Sequence, residues 1–274
     1  MKSMMRIVAA VLFTSALALP AFAGDPPPEY EMKFGIQTWT LRNLNFDQVI
    51  QFAVKHKITY LQMIATHMDP MAPLEETRRK KEILDRNGLH VYTFGVSGTT
   101  MDKEQNRKLF EFARFMGIRL IIVEPRDVRE WDNLEELVKE YDIKLAIHNH
   151  GLQSTYGNPE TVKMILKERD SRIGVSLDVG HLTGAGFDAA AVFKAYQGRV
   201  YDIHLKDKKT EKVEGKAAIN DVAIGTGDTN LKGLFKELKA AKWDGILALE
   251  TDQDLKDPTD YVLGAMKFVR DNQR

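Results

Sequence analysis

The amino-acid sequence predicts an α/β fold, a (β/α)8 barrel in one domain, on three observations. Short apolar runs alternate with segments of helical period eight times over about 240 residues, the count and size at which a parallel sheet covered by helices closes on itself. Polar, chemistry-bearing residues end the later apolar runs, where such a barrel carries its active site. No G-x-G-x-x-G follows the first run, where GIQTWTLRN stands instead, which counts against an open doubly wound sheet.

The elements follow in order. KFGIQTW (33–39) is short, β-prone and ends in polar and aromatic residues, and Asn45 or Asp47 then starts a helix over 46–56. ITYLQMI (58–64) leads to a helix over 74–87 closed by Gly88, and HVYTFGV (90–96) to one over 103–116 closed by Gly117. RLIIVE (119–124) precedes a helix over 132–140, and KLAIHNH (144–150) precedes one over 159–168, opened by Pro159. IGVSLD (173–178), VYDIHLK (200–206) and GILALE (245–250) complete the strands, with helices over 188–196, 230–241 and 258–271. The segment from Asp207 to Asn230, lysines early and glycines late, reads as a lid over the barrel mouth, its KDKKTEK run as solvated surface.

Residues 1–23 have the anatomy of a secretory signal peptide. Lys2 and Arg6 charge its start, Val8–Leu19 form the apolar middle, and Ala21-Phe22-Ala23 offers a small-x-small cleavage site. The apolar run is shorter than the roughly 20 residues of a membrane span, so the expectation is export to the periplasm or medium of a protein with no membrane contact. GDPPPEYE (24–31) reads as a proline-stiffened tether, with the barrel over 32–274.

Composition narrows the chemistry. Without Lys2 and Arg6 the chain keeps 37 basic residues against 39 acidic ones, a balance unlike that of a nucleic-acid binder. It has no cysteine, so disulfides are excluded and any metal must be held by nitrogen and oxygen.

The strand ends supply those atoms: Glu124, then His148 and His150, Asp178, His204 with Lys206, and Glu250. With side chains alternating along a strand, Asp202, His204 and Lys206 share one face and Ile203 and Leu205 the other. Carboxylates and imidazoles converging from adjacent strands would repel or stay unsatisfied without a cation or polar network to join them. The mixed donor set suits Mn²⁺, Zn²⁺, Co²⁺ or Fe²⁺ better than Ca²⁺. In SLDVGHL, Gly180 lets the chain turn so that His181 folds back over the site as acid, base or clamp. Trp39 and Phe94 are candidates to stack on a substrate ring, and His67 to hydrogen-bond it.

LDVGH, IHLKD, LALE and the IGTGDTNL turn (224–231), in this order, resemble the xylose isomerase-like TIM-barrel superfamily, the sugar phosphate isomerase/epimerase group. The resemblance implies a divalent metal on His148, Asp178, His204 and Glu250. It leaves Glu124, His150, His181 and Lys206 as catalytic candidates for proton transfer. Sugar epimerases of that group carry glutamate where His148 stands, which departs from their two-glutamate mechanism. The apurinic endonuclease branch also shares the sixth-strand pattern, but the near-neutral charge lacks its basic DNA face.

The implied activity is metal-dependent abstraction of a proton next to a carbonyl through an enediolate, on a small-molecule sugar, in a protein that can form homo-oligomers. Isomerase or epimerase chemistry is the first expectation. A 3-keto-glycoside lyase or hydratase is the alternative, and a non-catalytic sugar-binding barrel the third.

Overall fold

The computed structural model describes residues 30–196, 198–213 and 216–273, so the expected signal peptide and most of the tether lie outside the described residues. Eight parallel strands close a barrel: β1 (Lys33–Gln37), β2 (Tyr60–Met63), β3 (His90–Ser97), β4 (Leu120–Val123), β5 (Lys144–His148), β6 (Ile173–Asp178), β7 (Val200–Leu205) and β10 (Ile246–Leu249). Each pairs with its neighbour in sequence until β10 returns to β1, with Ile36 beside Leu249.

The helices are α1 (Phe46–Lys55), α2 (Leu74–Arg86), α3 (Lys103–Met116), α4 (Glu130–Tyr141), α5 (Pro159–Lys167), α6 (Val179–Gly184), α7 (Ala189–Ala195), α8 (Leu231–Ala240) and α9 (Thr259–Asn272). Their starts obey local chemistry. Asn45 and Gln48 form a reciprocal capping box on α1, and Asp102 accepts from the first-turn amides of α3. Gly117 ends α3 at φ 78°, a left-handed conformation that costs glycine little.

Strand alternation sorts the interior. Leu145, Ile147, Val175, Leu177, Ile203, Leu205, Leu247 and Leu249 pack outward in the large core shared with the helices. A small separate cluster, Leu120, Ile122 and Ala146, forms from the alternate positions of β4 and β5, and polar side chains occupy the alternate positions towards the carboxyl ends of β6 and β7. The buried outward stripe stabilises by about 1.5–3 kcal/mol per large aliphatic residue and fixes which residues are left to face inward.

The segment expected to form a lid opens after β7 with an antiparallel hairpin, β8 (Asp207–Val213) with β9 (Lys216–Val222). One expectation needs correction here: its KDKKTEK run is not all solvated, since Lys208 is buried and paired with Asp221 at 2.5 Å. Within the expected tether, the Tyr30 hydroxyl donates to the Trp243 carbonyl at 2.7 Å. Among the described residues no helix is long and apolar enough to cross a membrane.

Candidate metal centre

His148, Asp178, His204 and Glu250, all buried, bring one donor atom each within 4.8 Å of one another at the carboxyl end of the barrel. His148 and Asp178 are the last residues of β5 and β6, His204 is the penultimate residue of β7, and Glu250 follows β10. Parallel register aligns them: His148 lies beside Ser176, and Asp178 beside His204.

The tautomers can be derived. The Gly95 carbonyl can only accept, so the Gln62 amide nitrogen that meets it at 3.2 Å is the donor, which leaves Gln62 Oε1 to accept from His204 Nε2 at 3.0 Å. His204 Nδ1 is then a lone pair. His148 turns Nδ1 towards Glu124, 3.7 Å away, and Nε2 inward. The two inward nitrogens stand 3.2 Å apart with Asp178 Oδ2 3.8 Å from one and 3.9 Å from the other. Glu250 Oε2 lies 2.6 Å from His204 Nδ1 without hydrogen-bond alignment, and Asp178 Oδ2 and Glu250 Oε2 are both buried without a hydrogen bond.

Two inward imidazole nitrogens within hydrogen-bond distance of each other and two carboxylate oxygens without a hydrogen bond converge on a donor set that fits a divalent cation. The second oxygen of Asp178 is otherwise engaged: Oδ1 caps α6 by accepting from the His181 amide at 2.8 Å. One oxygen of the carboxylate thus caps the helix while the other is left facing the cluster. Asn149 clamps the same residue, donating to the Asp178 carbonyl and accepting from its amide, each at 3.0 Å.

Around this core stand the candidate proton-transfer groups. Glu124 accepts from Ser154 and pairs with His150, whose ring lies 4.4 Å from that of His148 between centroids. Burial raises the Glu124 carboxyl, but His148, His150 and Ser154 more than offset this and hold it below the usual carboxylate range. The Glu124 hydrogen bond raises the His150 imidazole. On the other side, Lys206, 0 % exposed, places Nζ 3.1 Å from Asp178, 3.4 Å from Glu250 and 3.4 Å from His181 Nε2. Burial raises the Glu250 carboxyl, yet the Lys206 charge, with His204 beside it, holds it well down; burial also lowers His181. A cavity of about 510 Å³ opens beside Glu124 and His150, lined also by Ser97, Arg126, Ser154 and Tyr156.

The substrate candidates fare unequally. Trp39, 40 % exposed on the turn after β1, has an open face and carries Arg42 at 4.8 Å on its ring. Phe94 does not reach the mouth: it is 1 % exposed and packs edge-on against Phe112 in the helix-facing core, because its place in β3 points outward. His67 is also corrected: it is 1 % exposed and bonded to the Leu44 carbonyl at 2.9 Å, serving the loop after β2. Sequence reading missed Gln62 and Asn149. Gln62, a lone amide amid Leu61 and Met63, carried the same signal of a polar residue in an apolar strand.

A closed barrel with a histidine and carboxylate cluster at its mouth defines an enzyme of the (β/α)8 class. Within that class the chain belongs to the xylose isomerase-like TIM barrel family, whose model matches residues 50–272. It is similar to an inosose dehydratase of Clostridium perfringens, 27% identical over 221 residues that cover 65% of this chain and 74% of that one. It also resembles the crystal structure of an uncharacterised protein of Parabacteroides distasonis, at TM-score 0.68 and 28% identity, covering 88% of this chain and 98% of that one. The fold matches that of the IolI protein, whose crystal structure holds a zinc atom, at TM-score 0.67 and 17% identity, covering 88% and 98% of the two chains. The chain is accordingly an enzyme of the carbohydrate-acting isomerase, epimerase and lyase type.

Proposed function

We propose that the protein is an exported, metal-dependent lyase or hydratase that removes a proton next to the carbonyl of a keto-sugar or keto-glycoside and expels the β-oxygen substituent. The observation that carries the reading is the imidazole at the β5 position where the sugar epimerases carry glutamate, which leaves Glu250 without an opposed glutamate. His148 occupies the ligand position on β5, and Glu124 is turned to His150 and Ser154 instead of standing free as a base. Elimination therefore displaces isomerisation as the first reading, in keeping with a relative named as a dehydratase.

A divalent cation on His148, Asp178, His204 and Glu250 would polarise the carbonyl and stabilise the negative charge that develops as the adjacent C–H bond is lost. His150 takes that proton, its basicity increased by Glu124. The carbon–oxygen bond to the leaving group then breaks, and its electron pair departs on that oxygen. The Lys206 and His181 pair, on the far side of the cluster, returns a proton to it. Balance is met by an unsaturated ketone and one alcohol, or water where the leaving group is hydroxide.

The test is a screen of 3-keto-glycosides and inososes with the mature protein and Mn²⁺, Co²⁺ or Zn²⁺. The expected result is metal-dependent release of aglycone or water with formation of the conjugated ketone. Deuterium uptake from D₂O without release would return the assignment to isomerase or epimerase. Ligand binding with neither would leave a sugar-binding barrel.

A further inference from the structure

We propose that Asp252 is a positioning residue: its carboxylate holds the Lys206 ammonium so that Asp178 and Glu250 stay free to bind a divalent cation. This rests on the metal-centre reading of the cluster. Lys206 Nζ is shared among three carboxylates, 3.0 Å from Asp252, 3.1 Å from Asp178 and 3.4 Å from Glu250. Two of those three are the proposed metal ligands. A buried ammonium that lost its third carboxylate would have to pair with the same oxygens as the cation, because an unpaired charge is costly to bury. Its stem packs against the bare face of Gly180, where a Cβ would stand only 2.6 Å from Lys206 Cγ.

Asp252 is built in place from two directions. From the hairpin, Asp221 on β9 accepts from the Asp252 amide at 2.7 Å and the Thr251 hydroxyl at 2.9 Å, and its own carbonyl accepts from the Gln253 side chain at 2.8 Å. From the opposite side, the Arg42 guanidinium donates to the carbonyls of Thr251 at 3.1 Å, Asp252 at 2.9 Å and Gln253 at 2.5 Å. So many bonds on three consecutive residues fix where the carboxylate points. The hairpin thereby acquires a role that a lid would not have: it buttresses the site through Asp221.

Charge supports the same arrangement. The linked carboxylates Asp178, Asp221, Glu250 and Asp252 meet the two ammoniums of Lys206 and Lys208, Lys208 lying 2.5 Å from Asp221 and 3.6 Å from Asp252. With the imidazoles neutral, these four negative and two positive groups leave two negative charges, which one divalent cation matches. Without Asp252 one negative charge is left, and Lys206 draws closer to the oxygens the cation needs.

A double-mutant cycle on purified full-length protein tests this, with Mn²⁺ and Zn²⁺ themselves as probes in calorimetric or chelator-competition titrations. D252N is expected to weaken metal binding by about 10–100-fold, the range of outer-shell losses. In a K206M background the same D252N change should cost less than about 3-fold, since no ammonium remains to compete. Equal losses in both backgrounds would reduce Asp252 to a distant charge and overturn the proposal, as would an unchanged affinity in D252N. Thermal melts of the metal-free variants show whether each is folded; an unfolded D252N whose fold K206M restores would also support the competition. If the parent protein binds neither metal while remaining folded, the metal-centre reading falls and this inference with it.

Discussion

The two halves of the barrel mouth are built from different chemistry. Along β5, β6, β7 and β10 the strands end in imidazoles and carboxylates, whereas β1, β2 and β3 present Gln37, Gln62 and Thr93, neutral and fully hydrogen-bonding. Gln37 and Gln62 both donate to the Gly95 carbonyl, at 3.3 and 3.2 Å, and Gln62 then sets the His204 tautomer across the barrel. The difference teaches a division of labour. Under the proposed function, charged groups on one side would bind and react, and amides on the other would orient them without adding a charge for a metal to share.

The most damaging change should be on the charged side. His204→Ala removes one of four donors and leaves two buried carboxylates less compensated; the expected outcome is loss of bound metal in elemental analysis, with affinity down more than about 100-fold, beyond outer-shell effects, and activity lost with it. Full metal content in that variant would sink the assignment. On the neutral side, Phe94→Ala should cost about 3–5 kcal/mol in denaturant unfolding, the usual range for a buried phenylalanine. Metal affinity should be unchanged, because Phe94 faces the helices.

Gln62→Leu probes the link between the halves. It keeps the volume but frees His204 Nε2, so metal affinity should fall about 10–100-fold, less than for His204→Ala. An equal fall would make the amide as important as the ligand. The smallest effect belongs to His67, whose imidazole is lowered by burial. A lowered folded-state pKa means the unfolded chain binds the proton more readily, so the contribution to stability is present above about pH 6.5 and is lost as the pH falls below it. His67→Gln should flatten that acid limb in melts from pH 7 to 5.

Much of the site was legible in the sequence because strand alternation is local. His148, Asp178, His204 and Glu250 close apolar runs, and closing a run in a barrel means facing the mouth. The same reasoning placed eight helices to within a few residues, with α3 found over the expected Lys103–Met116. It missed α6, where the turn expected at Gly180 is a short helix capped by Asp178. It failed where residues near a strand carried no sign of which face they took. His67 lies in the loop after β2 and Phe94 within β3, where a shift in register between β2 and β3 turns Phe94 outward, and no local pattern announces that shift.

The sequence by itself determined the alternation of strands and helices, the ligand types, and the absence of thiolate chemistry, since these follow from residue identity and period alone. Only the tertiary structure decided which atom of each ligand does what. Asp178 divides its oxygens between a helix cap and the cluster, Glu124 serves His150, and Gln62 and Asp252 enter the site from strands and loops more than 40 residues from the groups they hold. Such pairings depend on contacts across the closed barrel, which bring together residues whose separation along the chain carries no periodic signal.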